Sequence, residues 1–314
     1  MFEEKISPME PQSRANLKEG DEDYSFQVKW DGIRILAFVD GEKLRLQGRS
    51  LINKTSNYPE LAVLPELVKG KRIILDGEII ALQENRPSFY AVMQRERTGS
   101  AGISRIRSLI PVFYMVFDLL FFDDSWVMNK QWSARQEMLE KYLKENDHVR
   151  LTPSFEDGEI LLDTVRKKKM EGIVAKKKNS PYVQGPRKSS YWYKTKIEQT
   201  IEAYVGGISL KNTNPASLLL GMKEEGSEGE IGKIRYIGSV SSGLKTKELG
   251  AWYNWALENS LSASPFANAP LHPGRKLLYV KPVRKVEVTF NEWTPDIKLR
   301  APRLTSRSEQ LIHL

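Results

Sequence analysis

The stretch Val28-Lys29-Trp30-Asp31-Gly32-Ile33-Arg34 constrains the chain more than any other, because it places a strand end, a turn and a second strand within a few residues. Tyr24, Phe26 and Val28 alternate with Ser25 and Gln27, the period of two that a half-buried strand shows. Continuing that alternation turns Lys29 to the face opposite Val28, away from the core. Asp31-Gly32 then predicts a tight turn in which backbone can approach a ligand closely. Arg34 re-enters an apolar strand, Ile33 to Val39, which Asp40-Gly41 ends as a hairpin turn. For any single lysine, a basic hairpin facing solvent is the commonplace reading. The spaced pattern Lys-x-Asp-Gly-x-Arg arises by chance in only roughly a few per thousand chains of this length.

The length of 314 residues suits two domains, and 40% hydrophobic residues suit sizeable cores rather than disorder. There are no cysteines, which excludes disulfides and thiolate metal sites and favours an intracellular, cytoplasmic protein. Three histidines argue against a histidine-based metal centre or catalytic base. Met1-Phe2-Glu3-Glu4-Lys5 is acidic and lacks the apolar run of a signal peptide. The longest apolar run, Leu109 to Phe122, contains Pro111 and Asp118 and is too short to span a bilayer, so no membrane partner is expected. A net charge of +8 with pI near 9.3 points to a polyanionic partner.

Along the chain, Ser7-Pro8-Met9 reads as an extended lid or edge segment. Gln47-Gly48-Arg49-Ser50 is a polar turn in which Arg49 is either a solvated loop arginine or a phosphate contact. Leu64 to Val68 reads as a short helix. Arg72 to Leu82 is an apolar strand interrupted by Asp76-Gly77-Glu78, and burying an unpaired charge is costly. Either Glu78 emerges into a cleft, the preferred reading, or the strand bulges at Gly77. Residues 84–108, with Gly99, Ser100 and Gly102, read as a polar, mobile connection. Pro111 to Leu120 reads as a core strand in which Phe117, just before Asp118, is the aromatic placed to leave the core and stack on a base. Trp132 to Leu143 reads as an amphipathic helix with Ser133-x-x-Gln136 as its capping box. A second helix runs from near Ile160 to Met170.

Between Arg166 and Lys196 there are eleven Lys or Arg and one acid, Glu171. Lys194 and Lys196, two apart on a strand, share a face, and parallel ammoniums repel unless an anion sits between them. An isolated acid in that field is either a ligand for a hard cation such as Mg²⁺ or the partner of a neighbouring lysine. After Glu198 come short β-type segments (Ile201 to Ile208, Ser217 to Met222, Ile231 to Val240), a helix over Thr246 to Leu257, and strands Lys276 to Lys281 and Val283 to Phe290. Five strands with one helix suit an OB-type barrel. The boundary is placed at residue 200, giving domains 1–200 and 201–314.

Taken in order, Lys29-x-Asp31-Gly32-x-Arg34, Arg49, Asp76-Gly77-Glu78, Phe117-Asp118, Glu171-Gly172 and Lys194-x-Lys196 resemble the motif series of the ATP-dependent DNA ligases. Trp293-Thr294-Pro295-Asp296 with Arg300 resembles the ligase motif ending the OB domain. Glu171-Gly172-Ile173-Val174-Ala175-Lys176, Ser180-x-Tyr182 and Leu218-Leu219-Leu220-Gly221 look like the bacterial ligases of non-homologous end joining. The resemblance covers essentially the whole chain. Three positions depart from it: Gln27 stands where Glu is common, Ser50-Leu51 follows Arg49 in place of Asn-Gly, and Ile297 replaces a glycine after Asp296.

The resemblance implies an α+β fold: a nucleotidyltransferase (adenylation) domain of packed antiparallel sheets with flanking helices, followed by a C-terminal OB-fold β-barrel. It implies a covalent lysyl-AMP on Lys29, Lys194 and Lys196 on the α-phosphate, and Glu171 on Mg²⁺, with Mn²⁺ as an alternative. Glu78 would hold the ribose, Phe117 would stack on adenine, and Arg34 and Arg49 would position phosphates or the nick. Asp296 and Arg300 would act on the β- and γ-phosphates of ATP. The implied partner is nicked or broken double-stranded DNA, with a monomeric, nucleoid-associated ligase, a Ku-like end-binding protein and a separate repair polymerase. The rivals are an RNA ligase or a GTP-using capping enzyme and, in another class, a non-catalytic DNA-end-binding module.

Overall fold

The computed structural model describes residues 4–305 apart from 16, 18–20, 84, 85, 99, 187, 224–233, 269, 271, 273, 292 and 295. Of the readings above, those on Met1-Phe2-Glu3, Gly99, the first residues of the 231–240 strand and Pro295 lie outside the described residues. The chain divides between Ile197 and Glu198 into two compact units. Among the described residues no helix is long and apolar enough to cross a membrane.

The alternating segments of the first unit build two sheets. Tyr24–Val28 pairs antiparallel with Gly172–Lys177, which pairs with Trp192–Lys196; Gln12–Ser13 and Ser154–Phe155 lie at the two edges. The larger sheet runs in the order Lys43–Gly48, Ile33–Asp40, Arg72–Gln83, Val112–Phe122 and Ser125–Trp126. Its first two strands form the expected hairpin across Gly41-Glu42, with Gly41 at φ 57°, where a side chain would be strained.

Strand periodicity separates three apolar layers. Phe26, Ile173 and Ala175 point outward onto Leu161, Leu162 and Val165 of the Gly158–Lys167 helix. Ile35, Ala37, Val39, Leu75 and Val116 face the far side of the large sheet, under Leu61, Leu64, Val92 and Leu139. Leu36, Phe38, Ile74, Leu120 and Phe121 face the small sheet and meet Ile6, Met9, Tyr182 and Trp192. The face opposite Val28 is thus the space between two sheets rather than solvent. This corrects the simple inside–outside reading of Lys29.

Several local expectations are also revised. Residues 31 and 32 form a bend rather than a tight turn, and Gly32 is required by the neighbouring strand: a Cβ there would lie 2.0 Å from the Ile79 carbonyl oxygen. The stretch read as a mobile connection holds two helices, Phe89–Arg97 and Ser100–Leu109. Their polarity is misleading because Arg95 is fully buried on Glu60, while Glu96 holds Lys54 and Tyr58. The next helix starts at Trp132 with Gln131 as N-cap and no side-chain cap. Gln136 instead donates to the Phe117 carbonyl. In the same helix Arg135 makes a bidentate pair with fully buried Asp118, at 2.7 and 2.9 Å.

The second unit is organised on the 13-residue strand Gln199–Lys211, which pairs with Asn214–Met222, Lys276–Val280 and Lys285–Phe290. It serves three partners because its register shifts between Val205 and Gly207, re-aiming the two halves of the strand. Arg235–Val240 extends the sheet, and the helix Thr246–Glu258 covers the core with Trp252 and Ala256. This is the curled antiparallel barrel of an OB fold.

Candidate active site

The space between the two sheets of the first unit contains a cavity of about 320 Å³. Its floor follows from strand register. Lys29 lies beside Gly172, its N–H bonded to the Gly172 carbonyl at 2.9 Å, and Gly172 pairs with Lys196. Two residues along, Val174 pairs with both Gln27 and Lys194; two further, Lys176 pairs with Ser25 and Trp192. Paired residues share a face, so three rows follow one another on one surface. At ~3.4 Å per residue, the Lys29 row and the Lys176 row are roughly 13 Å apart. Gly172 takes φ 146°, and a Cβ there would lie 2.1 Å from the Thr195 carbonyl oxygen. Only glycine fits.

At the first row, Lys29 Nζ lies 2.5 Å from Glu171 Oε2, and Lys196 Nζ lies 2.8 Å from Glu171 Oε1. Burial alone would raise the Glu171 carboxyl, but the ammoniums of Lys29 and Lys196 outweigh it and hold the group below its usual range. The lysine-pair alternative is therefore realised, and realised twice. At the far row the surroundings are aromatic. Lys176 is 2% exposed, its Nζ 4.3 Å from the ring centroids of both Phe117 and Trp192, and donates to the Phe117 carbonyl at 3.2 Å. Burial brings the Lys176 ammonium down to about 7, against the pull of Asp118.

The large sheet supplies the opposing wall. Arg34 and Glu78 are register partners, as are Leu36 and Asp76. Arg34 grips buried Asp76 through two bonds of 2.5 and 2.7 Å, and Tyr182 donates to the same carboxylate at 2.7 Å. The guanidinium lies 4.4 Å from the Phe117 ring centroid. Withdrawal from water pushes Glu78 up to about 8, even though Arg34 and Lys29 pull it down. Both alternatives posed for Asp76-Gly77-Glu78 occur. Glu78 lines the cavity, and a register shift falls between Asp76 and Gly77, with Phe117 as the extra residue of the partner strand. That bulge brings Phe117 to the cavity wall while leaving it only 8% exposed, so it remains in the core as well.

Lys29, Arg34, Arg49, Glu78, Phe117 and Lys194 line this one cavity, and Glu171 with Lys196 joins it through Lys29. Asp296 and Arg300 lie in the second unit, Asp296 within the loop closed by the isolated pairing of Trp293 with Leu299 and Arg300 just after it; Thr294 donates to Asp296 at 2.7 Å. Three contributors were not among the site residues expected from sequence, although Ser7-Pro8-Met9 read as a lid or edge segment, Gln27 as a departure from the ligase pattern and Lys176 as the end of a ligase-like motif. The segment around Pro8 and Glu10 forms part of the wall, anchored where Tyr182 bonds the Met9 N–H and Arg34 the Met9 carbonyl; Glu10 pairs with Arg49 at 2.6 Å. Gln27 is buried, its Nε2 donating to the Thr152 carbonyl, Ser154 and Gln136, while its Oε1 has no partner among the described residues. Lys176 was concealed within a basic run, although its two-residue spacing from Val174 would have placed it on the floor.

Comparison with known proteins agrees with this geometry. Residues 7–196 match the ATP dependent DNA ligase domain and residues 211–310 match the ATP dependent DNA ligase C terminal region. The chain is 31% identical over 306 residues to a multifunctional non-homologous end joining protein, LigD, of Mycolicibacterium smegmatis, covering 95% of this chain and 38% of that protein. It is 28% identical to DNA ligase 1 of Korarchaeum cryptofilum, covering 91% of this chain and 52% of the relative. A solved structure of mycobacterial DNA ligase D complexed with ATP and MES is 28% identical, with TM-score 0.53, covering 95% of this chain and 93% of that one.

Proposed function

The chain belongs to the ATP-dependent DNA ligases, and on that premise we propose that it seals breaks in double-stranded DNA through an AMP carried on Lys29. The observation that carries this reading is the Lys29 amine in the wall of a cavity that Lys194 also lines, 2.5 Å from Glu171. In the first transfer, Lys29 Nζ bonds to the α-phosphorus of ATP and the bond to the bridging oxygen breaks, releasing pyrophosphate. The adenylyl group then passes to a 5′-phosphate at the break. A 3′-hydroxyl attacks that phosphate, closing the strand and releasing AMP.

Only a neutral amine attacks, and cations beside an ammonium favour its loss of a proton. Charge builds on the α-phosphate oxygens in each transfer, so fixed cations contribute much of the catalysis. We assign Lys194 and Lys196 to those oxygens, Glu78 to the ribose and Phe117 to the face of adenine. Arg49 is assigned to a phosphate of the nick. Arg34, held by Asp76, is assigned to shaping the wall between Phe117 and the nucleotide. Asp296 and Arg300 are assigned to the β- and γ-phosphates. The orphaned Gln27 Oε1 is an acceptor for an amino group, which adenine has at its 6-position and guanine does not. This favours ATP over the GTP of a capping enzyme.

For Mg²⁺ the fit is with one carboxylate. Among the described residues no three His, Cys, Asp or Glu gather into a cage, but Mg²⁺ is commonly held by one or two carboxylates plus nucleotide phosphates. Glu171 would hold it there, and bound metal would neutralise phosphate charge. The chain spans 38% of the length of its mycobacterial relative, and participation in end joining, with a Ku-like protein and a repair polymerase as partners, is proposed on that relative's named role. A net charge of +8 supports salt-sensitive, largely sequence-independent tracking of the DNA backbone.

The test is a nicked duplex incubated with ATP and Mg²⁺, with wild type and Lys29→Ala. Sealing by the wild type alone is expected. A sealing Lys29→Ala variant would overturn the lysyl-adenylate, and preferential sealing of nicked RNA would favour the RNA-ligase reading.

A further inference from the structure

The segment from Ile6 to Arg14 crosses the edges of both sheets and is bonded along its length. Ile6 exchanges two hydrogen bonds with the buried Gln47 side chain, at 3.3 and 2.7 Å, two residues before Arg49. Ser7 accepts from the Gly185 N–H, and the Met9 N–H and carbonyl are taken by Tyr182 and Arg34. Gln12 and Ser13 pair with Tyr193 and Lys194, and the Arg14 N–H donates to the Lys194 carbonyl. The segment therefore ties the strand that carries Lys194 to the strand that leads into the Arg49 loop.

Glu10 is the only acid among residues 6–14, and it stands before Pro11, which bars it from helical backbone. Its side chain is 15% exposed and lines the cavity, whereas that of its partner Arg49 is 65% exposed. With one partner so far in water, the pair adds little to stability. Its effect on geometry is larger. A guanidinium carries five N–H donors in one rigid plane, and a carboxylate takes at most two of them. At least three remain for a second anion. An arginine held by nothing must be ordered when that anion arrives, and such a side chain has much rotamer freedom to lose. Glu10, carried on a segment fixed at both ends, orders Arg49 beforehand.

We propose that Glu10 is a positioning residue that presents the Arg49 guanidinium to the terminal 5′-phosphate at a DNA break. This rests on the reading of the chain as a ligase with Arg49 on a phosphate of the nick. Glu10 itself touches neither the DNA nor the reacting phosphorus.

The experiment measures equilibrium binding of the adenylylated protein, with metal chelated so that no transfer occurs, to a nicked duplex ending in a 3′-dideoxy nucleotide. The duplex carries either a 5′-phosphate or a 5′-hydroxyl at the nick, and the readout is the ratio of the two affinities. Wild type should prefer the phosphate by roughly 10-fold or more, the scale of hydrogen bonds to a charged group. Arg49→Ala should abolish the preference. Glu10→Ala should cut it roughly 3- to 10-fold, the scale of ordering one long side chain. Adding Glu10→Ala to Arg49→Ala should change the ratio no further, because the two act as one unit. Cooperative thermal unfolding checks the fold, and Glu10→Gln, which keeps the size and removes the charge, gives the same reading if the alanine variant does not fold. A Glu10 variant that weakens both nicks alike, keeping the ratio, would overturn the proposal by making Glu10 a support of the fold only. A variant with a raised ratio would overturn it by making Glu10 a competitor of the phosphate. A wild type that seals no nicked duplex with ATP and Mg²⁺ would instead remove the ligase reading.

Discussion

Lys29 and Lys176 stand on one face of one sheet, two rows apart, and their surroundings make them different reagents. The Lys29 side chain is 20% exposed and meets a carboxylate that it shares with Lys196. Lys176 has aromatic rings and one carbonyl. A lysine kept beside an ionised acid near water is open to an incoming phosphate. A lysine sealed among rings can direct a hydrogen bond but lacks the opening for a phosphate. Residue type therefore does not identify the nucleophile here. Its row does.

The largest break in this contrast comes from removing the shared acid. Glu171→Ala leaves Lys29 and Lys196 facing each other with no anion between them and removes the one carboxylate assigned to Mg²⁺. The initial rate of adenylylation should fall on the order of 10²- to 10³-fold, comparable to loss of a fixed electrostatic group. A change of less than roughly threefold would mean that the pairing is incidental to the chemistry.

A smaller effect distinguishes the walls by pH. Glu78 titrates at about 8 in the fold against an ordinary 4.5, so between those values the native state binds more protons than the unfolded chain. Its contribution to stability therefore falls as pH rises from about 4.5 to about 8. Lys176, brought down from 10.5 to about 7, has the opposite sign: the unfolded chain binds more protons, and stability rises with pH across that span. Unfolding temperatures across pH should show the acid-side fall removed in Glu78→Gln and the alkaline rise removed in Lys176→Met. Parallel profiles for wild type and either variant would contradict the corresponding assignment.

The smallest effect lies in two loops. Leu51 at φ 65° and Ile297 at φ 57° adopt the left-handed conformation at positions where the resembling ligases carry glycine. A β-branched residue there is strained. Relief of strain, less the extra chain entropy of glycine, should make Ile297→Gly more stable by about 1 kcal/mol or less, a rise of roughly 2 °C. An unfolding temperature below wild type would show that Ile297 makes contacts worth more than its strain.

What the sequence disclosed was whatever obeys a short period. The Tyr24–Val28 alternation, the Asp40-Gly41 hairpin, the shared face of Lys194 and Lys196 and the five longer of the seven strands described in the second unit are local regularities. The 89–109 helices were hidden because Arg95 and Glu96 fill inward positions as paired charges, so hydrophobicity does not mark the buried face. The bulge at Phe117 leaves no signature in an apolar run and appears only when Val112–Phe122 is laid against Arg72–Gln83. The burial of Lys176 depends on rings contributed from three separate segments. Such facts are made by the packing of elements, not by their periods.

The central claim, that position on the floor decides which lysine carries the nucleotide, is tested most directly by locating the bond. Wild-type protein incubated with ATP and Mg²⁺, digested and analysed by mass spectrometry, should carry AMP on the peptide containing Lys29 and none on the peptide containing Lys176. AMP found on Lys176, Lys194 or Lys196, with Lys29 unmodified, would contradict the account.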